Sequence, residues 1–225
     1  MCYLHAFALI QYVLSFSMPH YYVVIDFECT CWENQGPERL SKFPHEIIEF
    51  PAVFLNSKTL EIDYEFHAYV KPTENIVLSP FCTELTGIEQ YSVTEADDLA
   101  SVLFSFEQFL CDNGISDFVP CTDGPWDFQK FLYSETERKG MQFPQWARKW
   151  VDIRRRFEMA YSLEHWIGVG EMLKHLDLEF EGRPHSGIDD ARNIARIVAA
   201  VHQKEIGTKG GKLRPNRFIK KNVIK

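Results

Sequence analysis

The feature that most restricts how this chain can fold is the run YYVVIDF at residues 21–27, a continuous stretch of β-branched and aromatic side chains. Such residues fit a pleated strand, and a run without polar alternation reads as a strand covered on both faces. A strand of that kind needs partners beside it and packed layers above and below it. The partners follow in sequence. Residues 46–55 and 60–70 read as two more strands, joined by Asn56-Ser57-Lys58-Thr59, a hairpin-length connection. In the second, Ile62, Tyr64, Phe66, Ala68 and Val70 alternate with Glu61, Asp63, Glu65 and His67, the period of a strand with one polar face.

Beyond Lys71-Pro72 the pattern becomes helical. Leu99, Val102, Leu103, Phe106, Phe109 and Leu110 recur at three- and four-residue intervals. Residues 115–121 read as a strand, stopped by Thr122-Asp123-Gly124-Pro125, and a helix over about 125–139 follows, with proline in its first turn. A short final strand is expected at 150–153, with helices near 163–176 and 186–203. Three strands in series and then alternating helices and strands predict an α/β architecture with a mixed sheet.

Charge is unevenly distributed. The net charge is −8, yet eight of the 24 Lys and Arg residues lie between Lys204 and Lys225, beside a single acid, Glu205. An acidic body fits a nucleic-acid enzyme when some of its acids bind cations, because the bound ions reverse the local field. The basic tail, 204–225, is either a solvated terminus or an arm for phosphates. Residues 1–18 are mostly apolar but contain His5 and Gln11, carry no basic flank and are short for a membrane span. They read as either a targeting segment or an extension from an upstream start, ahead of a body at 19–203. The six cysteines form no C-x-x-C pair, so free thiols in an intracellular protein, cytoplasmic or nuclear, are expected.

Four acids and one histidine are the candidates for chemistry. Asp26 and Glu28 lie two apart at the end of the first strand, so both carboxylates share one face of the sheet. Two acids there repel one another unless a cation compensates or the strand end already lies in solvent. In Ser186-Gly187-Ile188-Asp189-Asp190, Asp189 fits a variant of the capping box. Asp190 precedes Ile194, Ile197 and Val201 at helical spacing, which turns it toward the apolar face. An acid aimed inward is costly unless it is paired or metal-bound. Asp123 sits where turn and cap chemistry favours aspartate, whereas Asp127 is either a favourable acid in a first helical turn or a ligand. His185, five residues before Asp190, is placed to take a proton from a polarised water.

These segments together resemble the DEDDh exonucleases of the ribonuclease-H-like superfamily, and more specifically the Eri-type exoribonucleases. The resemblance runs from about Tyr21 to Val201, through IDFECTC (25–31), HEIIEFPAVFLN (45–56), FCTELTGI (81–88), TDGPWD (122–127), KWVDIR (149–154) and GRPHSGIDDARNIARI (182–197). It implies a ribonuclease-H-like fold with a mixed central sheet flanked by helices. It also implies a 3′→5′ exoribonuclease that releases 5′-mononucleotides from RNA 3′ ends. Carried over by position, Asp26, Glu28, Asp127 and Asp190 would bind two Mg²⁺ or Mn²⁺ ions, with Glu28 and His185 catalytic and His185 as general base. The terminal nucleotide would meet Glu28, Cys29, Trp126 and His185. Leu85 and Ile88 would add apolar contacts, although core packing explains those two equally well. Two rivals remain: a DNA-directed 3′ exonuclease on the same fold, and an inactive RNA-binding module, which the five filled positions disfavour.

Overall fold

The computed structural model describes residues 19–33, 36–209 and 216–217; segment 1–18 and most of the basic tail lie outside the described residues. The apolar run forms β1 (Tyr21–Ile25), buried throughout, at the middle of a mixed sheet. On one side it pairs antiparallel with β3 (Ile47–Asn56), which forms a hairpin with β4 (Ile62–Lys71). The hairpin turn is held by the Asn56 side chain, whose Oδ1 accepts from the amides of Lys58 (3.0 Å) and Thr59 (3.3 Å). On its other side β1 pairs parallel with β6 (Phe118–Thr122), and β6 with β7 (Lys149–Asp152). Short strands complete the sheet: β2 (Glu28–Cys29) beside β3, β5 (Asp97–Asp98) beside β4 and β8 (Asn216–Arg217) beside β7. Three short helices, α1 (Pro37–Lys42), α2 (Pro80–Thr86) and α3 (Gln90–Thr94), lie in the connections before the first long one.

The two faces of β1 divide the core. Tyr21, Val23 and Ile25 join Phe50, Phe54 and the inner side of α4 (Leu99–Asp112), where Leu99, Val102, Leu103, Phe106 and Leu110 are buried at the spacing the sequence predicts. Tyr22 and Val24 face the opposite layer, formed by α6 (Ile153–Tyr161), α7 (Val169–His175) and α8 (Gly187–Lys209). Ile194, Ile197 and Val201 of α8 are fully buried there, and Tyr22 Oη lies 2.9 Å from His202 Nδ1. The architecture is the expected mixed sheet between helical layers. Among the described residues no helix is long and apolar enough to cross a membrane.

The elements beyond β6 differ from the sequence reading. The helix expected from residue 125 opens as a π-helical turn, Asp127–Leu132, before α5 (Tyr133–Arg138). The helix expected at 163–176 is shortened to α7, which starts after Gly168, and an unexpected helix, α6, precedes it and ends at Ser162 in the left-handed region (φ 55°). Three consecutive arginines obscure α6, whose fully buried residues are Ile153 and Phe157, one turn apart. Helix α8 continues to Lys209, past the boundary drawn at 203, and β7 is followed by β8.

Candidate active site

Period-two geometry carries past the end of β1. Phe27 and Cys29 continue the α4-side core, so Asp26 and Glu28 lie on the side of Tyr22 and Val24, toward α8. The Phe27 amide donates to Asp127 Oδ1 at 2.9 Å, tying the π turn to the strand end. Asp127 is only 3% exposed. Its neighbour in the same loop, Asp123, makes a bidentate ion pair with Arg154 on α6 (3.0 and 2.5 Å), in place of the turn or cap role expected of it.

The first turn of α8 delivers the remaining groups. Gly187 sits so close to β1 that an added Cβ would lie 2.7 Å from the Asp26 carbonyl oxygen and 3.1 Å from Glu49 Oε2, so any larger residue would push the helix away. Glu49, 2% exposed on β3, accepts from the Gly187 and Ile188 amides at 3.0 and 3.1 Å, and His67 Nε2 lies 2.8 Å from its Oε1. A buried carboxylate on unsatisfied amides at a positive helix end is a strong anchor. With both oxygens engaged, Glu49 positions α8. The Asp190 carboxylate accepts from the His185 amide at 2.7 Å, and His185 itself has φ 62°, a costly left-handed conformation for a non-glycine residue. Asp189 is structural, but not through a capping box: it accepts from the Arg183 amide (3.0 Å) and pairs with Arg192 (3.1 Å).

One ligating atom from each of Glu28, His185 and Asp190 falls within 4.8 Å of the others. Glu28 and Asp26 are half-buried. Cys29 is buried beside them, and Trp126 is exposed, with Lys130 Nζ 4.5 Å above its ring. Ile88 is buried and Leu85 half-buried, both packed with Ile48, Leu78, Cys82 and Val93 in a small apolar cluster. The sequence reading missed Glu49 and Arg154. Glu49 did leave a signal, an acid between Ile48 and Phe50 in an otherwise apolar strand.

Gathering these carboxylates is electrostatically costly. Burial raises the Glu28 carboxyl to about 9, assisted by Glu49, Asp190 and Asp127. Burial pushes Asp127 up to about 7 despite the Phe27 amide, and Asp190 up to about 6 despite the His185 amide. Asp26 is also raised well above its ordinary value, by burial and then by Asp127, Glu28 and Asp190. An all-oxygen cluster with one imidazole suits hard divalent cations, whose charge would relieve this repulsion. Because the folded carboxyls titrate above their unfolded values, the fold holds extra protons between about pH 4 and about pH 9. Stability from these groups is complete at the acid end and is lost as pH rises through that window. The melting temperature of chelator-treated protein should therefore fall from mild acid to pH 9, and saturating Mg²⁺ should flatten the slope. A melting temperature that climbs with pH in chelator would contradict the buried-acid account.

A mixed sheet that gathers four acids and a histidine where its central strands meet a helix N-terminus defines the class: a DEDDh nuclease of ribonuclease-H-like fold. The exonuclease family model matches residues 23–198, and the chain belongs to that family, whose members depend on divalent metals. It is 40% identical over 187 residues to human 3′-5′ exoribonuclease 1, covering 81% of this chain and 52% of that protein. The chain thus spans about half the length of that relative. The nuclease domain of 3′hExo, a DEDDh family member bound to rAMP, aligns with TM-score 0.78 and 38% identity, over 89% of this chain and 98% of that one. A structure of 3′-end specific recognition of the histone mRNA stem-loop by 3′-exonuclease aligns with TM-score 0.79 and 38% identity, covering 91% and 89%.

Proposed function

We propose that this chain is a 3′→5′ exoribonuclease that releases 5′-mononucleotides from single-stranded RNA ends. The observation that carries the reading is the convergence of Glu28, His185 and Asp190 within 4.8 Å, beside Asp26 and the strand-tethered Asp127. Names of relatives at 40% identity point the same way. In this reading residues 19–203 are the exonuclease unit, and the basic segment 204–225 contacts phosphates.

Asp26, Glu28, Asp127 and Asp190 would hold two divalent cations, Mg²⁺ or Mn²⁺, which when bound supply Lewis-acid activation of the attacking water and charge stabilisation at the leaving 3′ oxygen. The imidazole of His185 accepts the proton from that water as its oxygen bonds to phosphorus and the bond from phosphorus to the 3′ oxygen breaks. The Asp190 carboxylate holds the His185 backbone, and Glu49 holds the helix that carries Asp190. Trp126, exposed beside Asp127, offers a face for the terminal base.

The test uses 5′-labelled RNA and DNA of matched sequence, with Mg²⁺ or with excess chelator. RNA should shorten from its 3′ side one nucleotide at a time, only with the metal, and a 3′-phosphate should block the reaction. Internal cuts in circular RNA, full activity in chelator, or degradation of DNA with RNA spared would each overturn the assignment.

A further inference from the structure

We infer that Trp166 and Arg154 form a second nucleotide subsite, where a base of single-stranded RNA upstream of the terminal nucleotide stacks. The inference rests on the exoribonuclease reading and extends it to residues outside the metal and base set. Trp166 lies between α6 and α7 and is 66% exposed. Its neighbours Leu163 and Ile167 pack against the α8-side core, whereas Trp166 does not. The guanidinium of Arg154 lies 4.9 Å from the centre of its ring.

That guanidinium is fixed in place. Arg154 Nε and Nη2 donate to Asp123 Oδ1 and Oδ2 at 3.0 and 2.5 Å, a bidentate geometry that leaves the cation little freedom. Asp123 belongs to the loop that ends in Asp127, and its charge raises the carboxyls of Asp26, Asp127 and Asp190. Trp166 is therefore two contacts away from an acid at the edge of the cluster. The same loop presents Trp126, 50% exposed, with Lys130 Nζ 4.5 Å over its ring.

Two solvent-facing indoles, each with a cation at its ring, thus connect to the loop that ends in Asp127: Trp126 belongs to it, and Trp166 reaches it through Arg154 and Asp123. Aromatic platforms with cations are the usual means of holding single-stranded nucleic acid without reading its sequence. The Asp123 ion pair requires no indole over it, and an exposed tryptophan in a loop contributes nothing to the core.

Binding of a fluorescent oligoadenylate, with Mg²⁺, to the Asp26→Asn protein tests this. Adding Trp166→Ala should weaken the Kd about tenfold, the scale of one lost base stack. Trp166→Phe, which keeps an aromatic face, should recover most of that loss. Binding of a blunt RNA duplex, whose bases are already stacked, should not respond to either change. If Trp166→Ala binds oligoadenylate as its parent does, or weakens duplex binding equally, the subsite is wrong and the exoribonuclease reading stands. If the parent binds no RNA, both fall together.

Discussion

Asp190→Asn is expected to lose roughly 10³-fold or more in turnover, while Asp189→Asn one residue earlier stays near wild type. The contrast follows from the two carboxylates' surroundings. Asparagine at 190 keeps an acceptor for the His185 amide, now at 2.7 Å, so the loop survives and the missing quantity is the charge. Several kcal/mol of transition-state stabilisation depend on that charge if it holds a cation. At 189 the same substitution keeps an acceptor for Arg183 and weakens a half-exposed pair with Arg192, worth less than about 1 kcal/mol. Asp26→Asn should behave like Asp190→Asn. Steady-state rates on labelled RNA, with melting temperatures recorded for every variant, decide the matter. Equal losses at 189 and 190 would mean that the helix end, and not the cation charge, is what activity requires.

How much of this site could be read in advance depends on whether the governing contact is local. The strand at 21–25 and the hairpin after it declared themselves through composition and period, because a buried strand and a half-buried one each leave a pattern in their own residues. Asp190 could be singled out for the same reason: its direction is set by Ile194, Ile197 and Val201 on its own helix. Asp127 could not be resolved by that means. What distinguishes it from Asp123 is a hydrogen bond to Phe27, a hundred residues away, and an ion pair that takes Asp123 out of contention. Glu49 is a similar case, since its partners at Gly187 and Ile188 come from the far end of the chain. The helix at 153–161 escaped detection because its buried stripe is too narrow to stand out among arginines. Local turn logic also misassigned Asp189, which looked like a cap for its own helix and instead holds the preceding loop.

His185→Ala is expected to retain RNA binding and most of its metal affinity while losing about 10²–10⁴-fold in rate, the usual contribution of a positioned general base. The backbone supports this separation of roles. The His185 amide, not its ring, donates to Asp190, so removing the imidazole leaves that contact available to hold the loop. The ring is exposed, and one of its nitrogens lies within 4.8 Å of ligating oxygens on Glu28 and Asp190, a location for meeting water at the carboxylate cluster and not for packing. The left-handed φ of 62° carries a cost that the loop sustains, as expected where position matters more than comfort. Alanine at 185 inherits that strain, so a modest drop in melting temperature should accompany the rate loss without explaining it. The separating measurement is the pH profile with saturating Mg²⁺. Wild-type turnover should fall on the acid side of its profile, and the variant should lack that acid limb while its Kd for RNA stays within a few-fold. A variant that keeps the limb, or one as fast as wild type, would move the base function away from His185.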